Sequence, residues 1–160
     1  MKSLAIAILG FGLLSTATFA ADTQMTQMTQ ASSTDSGKMF LEKNKKKPGI
    51  ILLADGLQYK ILKQGKGQKP TDSDTVVVNY EGKLTNGTVF DSSYQRGQPA
   101  TFQVGGVIPG WTEALKLMKT GSTWELYIPS NLAYGDTGAP PSIGPNETLI
   151  FKVDLLAINK

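Results

Sequence analysis

Val107-Ile108-Pro109-Gly110-Trp111 is the stretch on which the reading of this chain turns. A tryptophan follows a Pro-Gly pair and opens an apolar-periodic run, Trp111-Thr112-Glu113-Ala114-Leu115-Lys116-Leu117-Met118. Proline is favoured at the first helical position, where its missing N–H costs no hydrogen bond. The pattern predicts a helix from Pro109 to Met118, ended by Gly121. An indole fixed at the mouth of a short helix has two readings. It is a core residue near a helix start, or it is the floor of a pocket.

Around this helix the signals are those of strands and turns. Leu57 to Ile61 alternates at period two, and Val76 to Tyr80 puts Val76, Val78 and Tyr80 on one face. Asn86-Gly87 is a tight-turn signal that reverses the chain into Thr88-Val89-Phe90. Ala100 to Val104, Thr123 to Ile128 and Thr148 to Ile158 complete the set. The last is apolar on both faces over much of its length, which suits a central strand. A single amphipathic helix has to bury its stripe on one face of the sheet. Ala114, Leu115 and Met118 would therefore meet Val78, Leu126 and Phe151. The expected class is α+β, a curved antiparallel sheet of about five strands wrapped around one short α-helix.

Composition narrows the chemistry. The 160 residues include no cysteine and no histidine. Thiol nucleophiles, Ser-His and Cys-His systems, histidine metal sites and a lipid-modified N-terminal cysteine are excluded. No metal or other cofactor is expected. The formal charge of +3 is too small to point to nucleic acid, and Lys43 to Lys47 reads as a solvated segment. Residues 1–20 read as a signal peptide: Lys2, an apolar core from Leu4 to Leu14, and small residues at the cleavage site after Ala20 or Ala21. The run is short and broken by Gly10, Gly12, Ser15 and Thr16 for a membrane span. The expected product is periplasmic or secreted, with no membrane attachment after cleavage. Residues 21–49 read as a flexible polar segment, including Thr23-Gln24-Met25-Thr26-Gln27-Met28-Thr29-Gln30, with a short helical turn within Lys38 to Lys47. The folded domain is expected to span residues 50–160.

The aromatic residues of that domain fall near turns and element ends: Tyr80, Phe90, Phe102, Trp111, Tyr134 and Phe151. Each alone reads as core. Together they suggest an aromatic cup with polar groups at its rim. The strings VVVNYEG (76–82), GTVFDSS (87–93), GVIPGW (106–111), AYG (133–135) and GPNETLIFKVDLL (144–156) resemble, in order and spacing, the signature of FKBP-type peptidyl-prolyl isomerases. The approach segment NKKKPGIILLADGLQYKIL (44–62) resembles that of the exported macrophage infectivity potentiator (Mip) branch.

The resemblance implies a cup lined by Tyr80, Phe90, Asp91, Phe102, Val107, Ile108, Trp111, Tyr134, Ile143 and Phe151, with Arg96 standing behind Asp91 and Tyr80. It implies Trp111 as the floor under a proline ring, and the Ile108 N–H and Tyr134 hydroxyl as donors to substrate carbonyls. Asp91 is implied as a hydrogen-bond organiser, because isomerisation moves no proton. Ala100 and Ala139 stand where relatives carry an aromatic residue and a histidine. Both changes would open the cup and bear on its affinity for macrolide inhibitors. The implied partners are proline-containing polypeptide clients. The rival reading is a non-catalytic proline-binding chaperone or adhesion module. The loop from Tyr134 to Thr148 is too short for an inserted flap, and a monomer is expected.

Overall fold

The computed structural model describes residues 33–160. The expected signal peptide and the whole Thr23-to-Gln30 tract lie outside the described residues. Seven strands form one sheet: β1 Ile50–Leu52, β2 Gln58–Lys63, β3 Thr75–Leu84, β4 Val89–Ser92, β5 Ala100–Gln103, β6 Thr123–Ile128 and β7 Leu149–Asn159. The order is β1-β2-β6-β7-β3-β4, with β5 also on β3. Every pairing is antiparallel. The expectation of about five strands is corrected to seven. β1 is a three-residue apolar triplet with no alternation to reveal it. β4 and β5 are four residues each, and both lie along the outer edge of the ten-residue β3.

The expected helix is α3, Pro109–Leu117. Its stripe is Trp111, Ala114, Leu115 and the following Met118, all buried against Val76, Val78, Leu126, Phe151, Val153 and Leu155 from the sheet. Burying each large side chain contributes about 1.5–3 kcal/mol. Gly110 permits this approach, since a Cβ there would lie 2.7 Å from Ile128 Cγ2. The Thr112 hydroxyl pins the first turn by donating to the Val104 carbonyl at 2.6 Å. The helix ends at Met118, whose N–H donates to the Ala114 and Leu115 carbonyls. Gly121 is therefore not its terminator. It lies three residues on, where its N–H meets the Leu155 carbonyl at 2.8 Å. β7 is central, between β6 and β3, as its two apolar faces imply.

A second correction concerns the segment before the sheet. Residues 33–44 are helical (α1), and α1 packs on the face of the sheet opposite α3. Gly37 lies so close to Thr148 that a Cβ would be 2.5 Å from its Oγ1. The Phe40 ring lies 6.1 Å from that of Tyr127. Asn44 is fully buried, and its amide donates to Gln58 Oε1 at 3.0 Å, while the Gln58 amide donates to the Leu41 carbonyl at 3.0 Å. Gly37, Phe40, Leu41 and Asn44 share one helical face. Only two of the four are large and apolar, so the stripe does not stand out among the lysines.

Two outcomes follow. Gln58→Ala leaves the buried Asn44 amide without its partner and is expected to lower stability by about 1–3 kcal/mol, read as the midpoint of urea unfolding. The exposed Lys63→Ala is the control. Glu113, on α3, has a carboxyl pushed up to about 7 by a hydrogen bond with Asp55, burial and the Asp55 charge. A carboxyl raised in the folded state binds its proton more tightly there than when unfolded. Its contribution is complete below the ordinary carboxylate range and is lost as pH rises through 7. Unfolding measured from pH 5 to 8 should show this decline, and Glu113→Gln should flatten it.

Candidate active site

A cleft of about 460 Å³ opens where the first turn of α3 meets β3, β4, β5 and β7. Trp111 lies at its base, nearly fully buried. Tyr80, Phe102 and Phe151 stand around the indole at 5.2, 5.6 and 5.2 Å between centroids, with interplanar angles of 84°, 85° and 87°. These near-right angles are the relation of a floor to its walls, and edge-to-face contact is the favourable geometry for aromatic pairs. Phe90 continues the wall, T-shaped on Phe151 at 5.5 Å.

The backbone supplies the opposite lip. A single 3-10 turn, Val104–Gly106, delivers Gly106, Val107 and Ile108 to the cleft. The Ile108 carbonyl accepts the Trp111 and Thr112 N–H groups and so starts the helix. The Ile108 N–H finds no acceptor among the described residues. Tyr134, from the loop after β6, closes the far side, half exposed at 41%.

The polar rim is one network. The Tyr80 hydroxyl donates to Asp91 Oδ2, and Arg96 pairs with Asp91 Oδ1. Arg96 also donates to the Tyr80 oxygen at 3.0 Å, with its guanidinium 5.6 Å from the Tyr80 ring centre. Arg96 ends a single helical turn, α2, Ser93–Arg96. Burial raises the Tyr80 phenol, and the neighbouring Asp91 carboxylate adds to this. Burial alone would also raise the Asp91 carboxyl. The hydrogen bonds from Tyr80 and Arg96, with the Arg96 charge, outweigh it and hold the carboxyl below its usual range.

The family profile described as FKBP-type peptidyl-prolyl cis-trans isomerase matches residues 66–156, which contain the whole cleft. The chain belongs to this family. A second profile, the domain amino terminal to FKBP-type isomerases, matches residues 14–61. The chain is 61% identical over 126 residues to the peptidyl-prolyl cis-trans isomerase Mip of Coxiella burnetii, covering 79% of this chain and 55% of that protein. It is 53% identical over 138 residues to the FKBP-type 22 kDa isomerase of Escherichia coli, covering 86% and 66%. The crystal structure of FkpA from Escherichia coli superposes with a TM-score of 0.83 at 43% identity, over 93% of this chain and 70% of that one. The chain thus spans little more than half the length of some curated relatives it matches.

Within this FKBP-type domain, the structure brings the expected residues together with one exception, Ile143. Tyr80, Phe90, Asp91, Phe102, Val107, Ile108, Trp111, Tyr134 and Phe151 line the cleft. Arg96 stands behind it, on Asp91 and Tyr80. Ile143 does not line the cleft: it is buried in the core, held by paired backbone hydrogen bonds with Ala139 at 2.9 and 3.1 Å. Ala100 and Ala139 also pack against the core rather than into the cleft.

Two contributors were missed. Gly106 lines the lip through its backbone. Gly82 lies behind the aromatic wall, where a Cβ would be 2.6 Å from both Phe151 Cε1 and Phe90 Cζ. A glycine inside a strand signals such close approach, and Gly82 was available in VVVNYEG. Gly82→Ala is expected to force the two rings apart and cost about 1–3 kcal/mol. Denaturant unfolding reads this directly, and a variant as stable as its parent would show that the rings do not close over Gly82.

Proposed function

We propose that this chain is a peptidyl-prolyl cis-trans isomerase that accelerates Xaa-Pro rotation in exported, proline-containing polypeptides. The observation that carries the reading is the indole floor with three rings at right angles to it, beside an unpaired backbone donor at Ile108. An Xaa-Pro bond resists rotation because amide resonance is lost on twisting, with a barrier of about 18–20 kcal/mol. The twisted amide is less dipolar than the planar one. A dry aromatic cup therefore binds it in preference, and each factor of ten in rate needs about 1.4 kcal/mol of such preference. A millionfold acceleration needs about 8 kcal/mol.

In this mechanism Trp111 carries the proline ring, and Phe90, Phe102, Val107 and Phe151 exclude water. The Ile108 N–H and Tyr134 hydroxyl hold substrate carbonyls. Asp91, bound by Tyr80 and Arg96, organises the rim. No proton moves. A macrolide presenting a proline-like ring would compete for the same floor. The apolar residues 1–20 support export to a periplasm or beyond. We also propose a monomer, since the described part of α1 packs its Phe40 and Asn44 onto its own sheet. Sedimentation at micromolar concentration should show a single chain.

The deciding measurement is the cis/trans interconversion of a short Xaa-Pro peptide with and without protein. Acceleration is expected, with kcat/KM reduced at least about tenfold in Trp111→Ala. Equal rates with and without protein would sink the proposal. The pH dependence has a definite sign. The Asp91 carboxyl is depressed in the folded state, so the rim stays intact above the usual carboxylate range. It is lost only as pH falls through the depressed value. Activity should hold from neutral pH down into the acid range and fall below it.

A further inference from the structure

The outer edge of β3 is shared by two strands, and a gap lies between them. β5 pairs with Thr75 to Val78, and β4 with Glu81 to Lys83. Asn79 and Tyr80 face neither. A buried N–H left without a partner costs about 1–3 kcal/mol. The Tyr80 N–H is not left so: it donates to the Ser93 hydroxyl at 2.8 Å. Ser93 is fully buried. Its hydroxyl donates in turn to Asn79 Oδ1 at 3.0 Å, which aims a lone pair at the Tyr80 N–H; the Tyr80 carbonyl lies farther off, at 3.4 Å.

Ser93 opens α2, the turn that ends in Arg96. One turn thus grips Tyr80 twice, at its backbone through Ser93 and at its phenol through Arg96. A helix this short cannot stand alone. Its caps, the Ser92 hydroxyl on the Gln95 N–H and the Gly97 N–H on the Ser93 and Tyr94 carbonyls, fix its shape but not its place. The other contacts that reach outside it are exposed ones, among them the Lys152 ammonium 5.7 Å from the centre of the half-exposed Tyr94 ring. Tyr94 donates to Asp154 at an exposed site. Arg96 meets Asp91 with its side chain 46% exposed, and exposed ion pairs do little to hold geometry.

We propose that Ser93 is a positioning residue for the isomerase site: its hydroxyl, oriented by Asn79, clamps α2 to the Tyr80 backbone and so sets where the Arg96 guanidinium meets Asp91 and the Tyr80 phenol. The role in catalysis rests on the proline-binding reading of the cleft, whereas the clamp itself does not. The groups facing Asp91 are the Tyr80 phenol from β3, Arg96 from α2 and the Ser92 N–H of its own strand. Of these, Arg96 is carried by α2, and it also binds the Tyr80 phenol.

The test is a carbon-13 NMR titration of the Asp91 carboxyl in the full chain, with kcat and KM measured separately, for Ser93→Ala and Asn79→Ala. Ser93→Ala is expected to raise the Asp91 midpoint by about one pH unit and to speed hydrogen exchange at the Tyr80 amide. It should lower kcat several-fold with KM unchanged, because the Trp111 floor and the Phe90, Phe102 and Phe151 walls are untouched. Asn79→Ala, which removes only the group that orients the hydroxyl, should move the midpoint the same way by less. An Asp91 titration that stays put in both variants overturns the proposal, even if Tyr80 exchange quickens, since Ser93 would then be a structural filler. If Ser93→Ala does not fold, Asn79→Ala decides alone. A shifted midpoint in a parent chain with no isomerase activity would overturn the proposed function and leave the clamp standing.

Discussion

A nine-residue helix covering a seven-stranded sheet is the constraint on which this structure depends. At 1.5 Å per residue α3 is about 14 Å long, and strands lie about 4.8 Å apart. It therefore shields only about three strands of the inner face. Beyond its N-terminal end, over β3, β4, β5 and β7, the inner face is closed by aromatic side chains instead. Trp111 belongs to both regions. It is the first large residue of the helical stripe and the base of the cleft, so the contacts that stabilise the domain also shape the site.

The rim follows a separate logic. The one carboxylate in the cleft, Asp91, is tied to Arg96 and Tyr80, so its charge is answered within the protein. A cup whose walls are rings and whose charge is compensated suits a substrate that becomes less dipolar as it reacts. It would serve proton transfer poorly, because the carboxyl is held ionised and its hydrogen bonds are already occupied. The arrangement depends on a break in sheet pairing along β3, where side-chain hydroxyls and a single helical turn replace a neighbouring strand.

Local patterning carried far in this chain. The alternation of Val76, Val78 and Tyr80, the Asn86-Gly87 turn and the Pro109 helix start all describe short-range geometry, and the elements lie where those signals put them. The aromatic set assembled because each residue sits at an element end or on an inner face. Legibility failed where the deciding contact leaves no periodic trace in the chain. Ile143 reads as a pocket residue in a loop, but its backbone bridge to Ala139 turns it into the core. Gly82 reads as an ordinary strand residue until Phe90 and Phe151 close over it. α1 reads as a charged, flexible lead-in because its buried face is made of Gly37, Phe40, Leu41 and Asn44, and what buries Asn44 is Gln58, fourteen residues on.

By itself the sequence determined the class of fold, the central place of β7, the helix that opens with Trp111 and the side-chain chemistry from which a site without histidine or cysteine is built. These follow from period, turn residues and composition, which act over a few residues at a time. Tertiary structure alone decided that α1 is packed on the sheet, that Ile143 leaves the cleft, and that α2 hangs from the backbone of Tyr80. Each of those rests on buried contacts, made across thirteen or fourteen residues for α2 and α1 and inside a single loop for Ile143, and no periodic pattern encodes which group will be there to meet them.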